Sequence, residues 1–424
     1  MLKTAKKIWA NEFFKGSVYF LLTSFLVNLL NYIFNFMIGR GLGPKGYGEI
    51  STMFSYTNIA LTPTVVFSSY IIKKIGEKTA NELPYVVSIE QSFKLRMKKI
   101  VWLFLALILI VPLISSQTNL SLETSFTLII LVFLGYFGSF YNGALPGLRY
   151  FFAFSLFGII TALIKLLGAF SILISLNSLL IILFFLILSS VFFPVVSYYY
   201  LKAKVAKISG LKIRKISRNV ISVFKNRNFQ LIFLSTLSLT FLNNADVIYV
   251  KKYLTSFEAG IYASWSIFSK LILYALGPLI SISFIFYSAK SQSSNHSLTL
   301  KLSLIILFLV FFVSYVIYSF FPQTLINIFF GNKFNLLLPF LSYASVFGAL
   351  YAVLVYLNNY YLAKESKAAL ILPLFTPLYL LGLFLIKKNI LNVIRLNIFF
   401  SLGIILLYFS IYLKDKLRSY FKSF

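Results

Sequence analysis

Leu179 to Tyr200 reads LLIILFFLILSSVFFPVVSYYY, 22 residues without a charge. About 20 apolar residues at 1.5 Å per residue cross the ~30 Å hydrocarbon core of a bilayer. The next stretch, 202–228, carries nine Lys and Arg and no acid. An uncharged span followed by a dense basic segment marks a membrane helix that ends on the cytoplasmic side.

The same pattern recurs along the 424 residues, of which 59% are hydrophobic and 12% charged. A soluble domain carries about 25% charged residues. The hydropathy predicts spans at 17–38, 49–72, 100–116, 124–145, 151–175, 178–201, 229–250, 259–288, 298–320, 336–362, 368–386 and 391–413. The expected fold class is therefore an all-α polytopic membrane protein of about 12 transmembrane helices. The first run, Ser17 to Ile38, is too long for a signal-peptide core and lacks a small-residue cleavage site after it. Lys3, Lys6, Lys7 and Trp9 before it suit a short amphipathic start at the headgroups.

With the N-terminus inside, 29 of the 39 Lys and Arg fall in inside segments, 8 outside and two, Lys165 and Lys270, within spans. This asymmetry predicts an even number of helices with both termini cytoplasmic. The segment 202–228 splits the chain into an N-terminal six-helix lobe (1–201), a basic linker and a C-terminal six-helix lobe (229–424). A shift of 212 residues supports a repeat, placing Leu30-Asn31 on Leu242-Asn243, Arg40 on Lys252, Leu42 on Leu254 and Gly48 on Gly260. Six helices per repeat keep the orientation, so the pseudo-two-fold axis runs along the membrane normal.

The formal charge of +29 lies between hydrophobic spans, which assigns it to the membrane and not to nucleic acid. No cysteine is present, so disulfides and thiolate sites are excluded, and with His296 as the single histidine a histidine metal cluster is excluded too. No D-x-D pair, phosphate-binding Gly-rich loop or H-E-x-x-H is found. The loops on the outside are short. These absences argue against an enzyme and against a cofactor.

Charges inside a bilayer cost about 2.5–3.5 kcal/mol each and mark transport pathways. Lys165, Lys270 and Asp246 are the three. Facing a water-filled cavity, the lysines would hold an anionic substrate and Asp246 a proton or sodium ion. Snorkelling to headgroups or an interhelical salt bridge are the plain alternatives. Amides form a second set: Asn28, Asn31 and Asn35 on one face of the first span, Asn142, Asn243, Asn244, Asn358 and Asn359. Each either glues helices together or lines a wet cavity. Pro63, Pro194, Pro278, Pro373 and Pro377 are candidate kink sites.

Arg40-Gly41-Leu42-Gly43-Pro44-Lys45-Gly46-Tyr47-Gly48 resembles the R-x-L-G-P-x-x-Y-G turn of polysaccharide (O-antigen-type) flippases in the multidrug/oligosaccharidyl-lipid/polysaccharide exporter superfamily. Asp246 followed by Gly260-Ile261-Tyr262, and Asn142-Gly143 to Leu148-Arg149-Tyr150-Phe151, are similar to further stretches of that family, with Asn142 where glutamine is common. The resemblance implies a V-shaped fold with alternating access. It implies flipping of a polyprenyl-diphosphate-linked oligosaccharide to the outer face of the plasma (inner) membrane, with membrane lipid around the carrier tail and a proton or sodium ion coupled. It also draws in Arg40 and Arg149 as substrate contacts. A monomer is expected. A cation-coupled multidrug or small-molecule antiporter of the same fold is the alternative. A polytopic glycosyltransferase would need a long outer loop with a catalytic carboxylate. Two cationic residues against one carboxylate inside the spans favour anionic cargo.

Overall fold

The structure, a computed structural model, describes residues 12–76, 82–174, 179–206, 227–288 and 296–422. The described residues are helical almost throughout, with no strand among them. The helices are α1 (Glu12–Gly76), α2 (Glu82–Leu109), α3 (Val111–Thr118), α4 (Leu122–Gly147), α5 (Phe151–Phe170) and α6 (Leu179–Ala206). They continue as α7 (Arg227–Tyr253), α8 (Ser256–Ser288), α9 (His296–Phe320), α10 (Pro322–Phe329), α11 (Leu341–Ala363), α12 (Ile371–Leu385) and α13 (Ile390–Lys422). Hydrocarbon offers the backbone no partner, so internally bonded helices are the economical way through it.

Ten helices among the described residues are long and apolar enough to span, and the pair α2–α3, bent by 65°, makes an eleventh. One of the ten, Thr23–Gly76, has 54 residues. At 1.5 Å per residue it would reach about 81 Å, more than twice the hydrocarbon thickness. Its helix breaks at Gly43, with φ 67° and ψ −174°, an extended left-handed geometry that is open to glycine. Counted as two spans on either side of Gly43, it brings the total to the twelve expected. The third span differs from its expected position. α2 starts at Glu82, so Lys94, Arg96, Lys98 and Lys99 lie on a helix and not in a loop. The linker residues 207–226 lie outside the described set.

Packing groups the chain into two units, one holding residues 1–42 and 60–223 and the other 43–59 and 224–424. The sequence places 43–59 in the first lobe; its contacts group it with the second. In the first unit α4 packs on α2 and α6, and α5 on α6. Ile71, Ile75, Phe140, Tyr141 and Leu145 anchor its core. In the second unit α11 packs on α8, α9 and α13, and α7 on α12.

Each unit repeats the same local devices. α3 and α10 have eight residues each, open with proline in the first turn, and are followed within two residues by one with positive φ, Asn119 (φ 55°) and Gly331 (φ 82°). These two residues are 212 apart, the shift found in the sequence. α4 and α11 end alike. Leu148, Arg149 and Tyr150 donate their amides to Ala144, Pro146 and Leu145, while Lys364, Glu365 and Ser366 donate to Tyr360, Leu362 and Tyr361. This double closure is the Schellman motif, with Arg149 (φ 61°) and Glu365 (φ 52°) at the position where glycine is usual. Asn142 and Asn358 precede these residues by seven positions in both cases.

The glycine-proline turn has its explanation in the second unit. Gly48 and Gly260, themselves 212 apart, lie back to back, so that a Cβ on Gly48 would sit 3.0 Å from the Gly260 nitrogen. A Cβ on Gly260 would overlap the Pro44 carbonyl group, which is backbone and has no rotamer to yield. Tyr47, 1% exposed, packs edge-on against Phe330 and Phe334 at 5.3 and 6.3 Å. Overpacking of this kind costs about 1–3 kcal/mol. Gly260→Ala should lower the apparent Tm of the detergent-purified protein by about 2–6 °C. Gly277→Ala, where a Cβ meets nothing within 4 Å, should leave it unchanged.

Candidate functional site

The first unit carries one intramembrane lysine. Lys165 lies on α5 and donates from Nζ to Asn31 Oδ1 at 3.2 Å. Asn35, four residues further along α1, donates its side-chain amide to the Asn31 carbonyl at 2.7 Å, which ties the amide pair to the helix. Asn31 is thereby an acceptor aimed at a cation. Asn28 is exposed and lies outside this contact, although it shares the three- and four-residue spacing. Arg40 is exposed near the Gly43 break, and Asn142 and Arg149 are exposed at the end of α4. The structure therefore brings together Lys165, Asn31 and Asn35, while Asn28, Arg40, Asn142 and Arg149 are exposed.

The second unit carries a buried carboxylate. Asp246 on α7 is 1% exposed. Its Oδ1 accepts the Val247 amide at 2.8 Å. Its Oδ2 accepts from the Tyr262 hydroxyl at 2.6 Å and from Asn397 Nδ2 at 2.8 Å. Asn397 Nδ2 also lies 2.9 Å from the Tyr262 oxygen, and Asn397 Oδ1 accepts from Tyr379 at 2.8 Å. Four helices, α7, α8, α12 and α13, thus converge on one carboxylate. Its hydrogen-bond partners among the described residues are N–H and O–H donors. Lys270, on α8, is half-buried and near enough to Asp246 for the two charges to interact.

The remaining amides are spread along the same unit. Asn244, 2% exposed, accepts from Asn58 Nδ2 at 3.2 Å and donates to the Thr240 carbonyl at 2.8 Å. Asn358, fully buried, accepts from the Tyr408 hydroxyl at 3.1 Å. Asn243 and Asn359 are half-buried. Among the described residues no group of three metal-ligating side chains forms.

Two features were missed in the sequence. Asn397 and Tyr379 complete the Asp246 cluster. Asn397 could have been found as an amide within the span 391–413, whereas Tyr379 is one tyrosine among 28. Lys251, expected in an outer loop, is instead 2% exposed and paired with Glu49 at 2.6 Å. The pair sits one residue from Gly48, where the backbones approach closely. It fastens the 43–59 segment to α7.

No protein-family model matches the sequence, and no curated protein matches it. Solved structures do, among them membrane transporters. The lipid II flippase MurJ in an inward closed conformation is 16% identical, with a TM-score of 0.67 over 94% of this chain and 87% of that one. An outward-facing MATE-family multidrug resistance transporter of the MOP superfamily is 14% identical, with a TM-score of 0.65 over 95% of each chain. A MATE transporter in complex with MaL6 gives 15% identity and a TM-score of 0.63 over 97% of both chains. The chain is a multi-pass membrane protein with the two-lobe helical fold of these transporters.

Removing one partner of a buried ion pair costs about 3–5 kcal/mol, while replacing both with apolar groups is far cheaper. Glu49→Gln should therefore lower the thermal stability of the purified protein strongly. The double variant Glu49→Leu/Lys251→Met should recover most of that loss in the same melting experiment.

Proposed function

We propose that this transporter flips a lipid-linked oligosaccharide, carried on a polyprenyl diphosphate, from the cytoplasmic to the outer face of the plasma membrane by alternating access. The observation that carries this reading is the charge held inside the spans. Lys165 in the first unit points its ammonium at an amide oxygen and not at a carboxylate. A neutral acceptor leaves the net positive charge of the site intact. A diphosphate headgroup supplies the missing anions, and the sugars use amide and hydroxyl partners. In the first unit Asn31 and Asn35 are such partners, and Arg40, Arg149, Asn28 and Asn142 are exposed groups for the approaching headgroup; in the second unit, taken by itself, Asn243 and Asn359 are half-buried amides of the same type. The lipid tail remains in the bilayer.

A cationic drug would call for the reverse arrangement, with carboxylates exceeding lysines within the spans. Asp246 is one carboxylate against Lys165 and Lys270. A multidrug antiporter nonetheless shares the fold, and it differs by the charge of the cargo it stabilises.

Asp246 is the coupling group in this reading. A sodium ion would draw on oxygens beside the carboxylate, such as the Tyr262 hydroxyl, whereas Asn397 and Val247 meet it with N–H groups. A proton needs one oxygen. Its arrival on Oδ2 turns an acceptor into a donor, so Tyr262 and Asn397 must rearrange. That change at the junction of four helices is how binding and movement would be linked.

In vesicles containing a fluorescent polyprenyl-diphosphate oligosaccharide, Lys165→Ala and Lys270→Ala should each lower the flipping rate at least about tenfold, with membrane insertion unchanged. Full activity in the double variant would remove the cationic-site reading. Because the chain has no cysteine, single cysteines at 28, 31, 35, 165 and 270 can be probed without background. A water-soluble thiol reagent should label them, and uniform inertness would mean packed helices instead.

A further inference from the structure

The second unit contains a line of polar atoms that starts at the Asp246 cluster and continues beyond it. On α13, Asn397, Ser401 and Tyr408 lie on one face at steps of four and seven residues, with exposures of 1%, 0% and 0%. Asn397 touches Asp246, and Tyr408 touches Asn358 on α11. One helix, α12, separates α11 from α13 in the chain, so the two run in the same direction. The Asn358–Tyr408 bond then sets their register at 50 residues. This register puts Ser401 level with Tyr351, whose hydroxyl donates to the Leu239 carbonyl at 2.8 Å.

Ser401 Oγ, Asn358 Nδ2 and Asn243 Oδ1 are enclosed and have no hydrogen-bond partner among the described residues. A buried polar atom left unpaired costs about 1–3 kcal/mol. An enclosed water answers this by making about three hydrogen bonds. Helical rise puts Ser401 about 6 Å from Asn397 and about 10 Å from Tyr408, gaps that one to three waters fill. Beyond Tyr408 the hydroxyls continue. Tyr361 donates to the Tyr408 carbonyl at 2.8 Å, and its ring meets that of Tyr360. Tyr360 bonds the exposed Lys364, and Tyr287 bonds Tyr356.

We propose that a file of water molecules runs inside the second unit from the Lys364 end of α11, past Asn358, Tyr408 and Ser401, to Asp246, and that it carries protons to and from this carboxylate. The proposal rests on the reading of Asp246 as a proton-coupling group. At each hop one O–H bond forms as another breaks, ending with a proton on Asp246, and nothing is oxidised or reduced. The titratable groups around Asp246 are Tyr262 and Lys270 on α8, Tyr351 on α11 and Tyr379 on α12, with Asn397 from α13.

The test is infrared spectroscopy of the full-length protein in phosphatidylethanolamine–phosphatidylglycerol vesicles. Acidification should produce a protonated-carboxyl band that Asp246→Asn lacks. On transfer to heavy water this band should shift about tenfold more slowly in Ser401→Val and in Asn358→Leu than in the native protein. Ser401→Thr, which keeps the hydroxyl, should match the native rate. Tyr408→Phe, which keeps the ring stacked on Tyr361, should also slow exchange and serves if the other variants fail to fold. Native exchange rates in the folded variants would overturn the water file while leaving Asp246 as coupling group. Absence of any band dependent on Asp246 would overturn the coupling reading and the file with it.

Discussion

A charge placed in hydrocarbon must find a partner, and the ways this chain meets that demand organise both of its units. Asp246 is held by three hydrogen bonds from Val247, Tyr262 and Asn397. Glu49 and Lys251 hold each other. Lys165 is answered by the amide oxygen of Asn31, without a counter-charge among the described residues. Of these three arrangements, the Glu49–Lys251 pair joins opposite full charges. Lys165 is a cation whose partner among the described residues is a dipole, and that imbalance is the basis of the proposal of an anionic cargo. Ion pairs in a low-dielectric interior are costly to form and costlier to break, so the Glu49–Lys251 pair serves as a fastener, while Lys165 is available to a ligand.

The backbone supplies the second constraint. Glycine at 48 and 260 lets two helices approach until main chain meets main chain, with Pro44 beneath. The Glu49–Lys251 pair and the Tyr47–Phe330–Phe334 aromatic cluster surround this crossing. A helix that would otherwise run on for more than 50 residues is broken at Gly43, and its middle portion, 43–59, is drawn into the second unit. The turn that resembles a family motif therefore has a physical purpose independent of substrate. It is where the backbone bends and where close packing begins.

Much of this was legible in the sequence. Hydropathy located the spans because lipid imposes apolar lengths, and the Gly-Pro turn announced its bend because few residues accept such backbone angles. Asp246, Lys165 and Lys270 stood out because charges are rare between apolar runs. Asn31 was visible by its spacing, although the same spacing also picked out Asn28, which is exposed. What stayed hidden depends on neighbours distant in the chain. Tyr379 is ordinary until Asn397 is opposite it. Lys251 looks like a loop residue until Glu49, 202 positions earlier, is seen beside it. The start of α2 was misplaced because its first half is amphipathic and basic, so hydropathy passes over it. The matching ends of α4 and α11 share backbone geometry but little sequence, which is why the repeat is clearer in the structure.

The central claim is that the cargo is anionic. It is tested most directly by thermal stabilisation of the purified protein with a short-chain polyprenyl diphosphate, compared with the matching neutral polyprenol and with a lipophilic organic cation. The account predicts that the diphosphate raises the melting temperature in a dose-dependent and salt-sensitive manner, while the polyprenol and the cation do not. Stabilisation by the cation alone would contradict it.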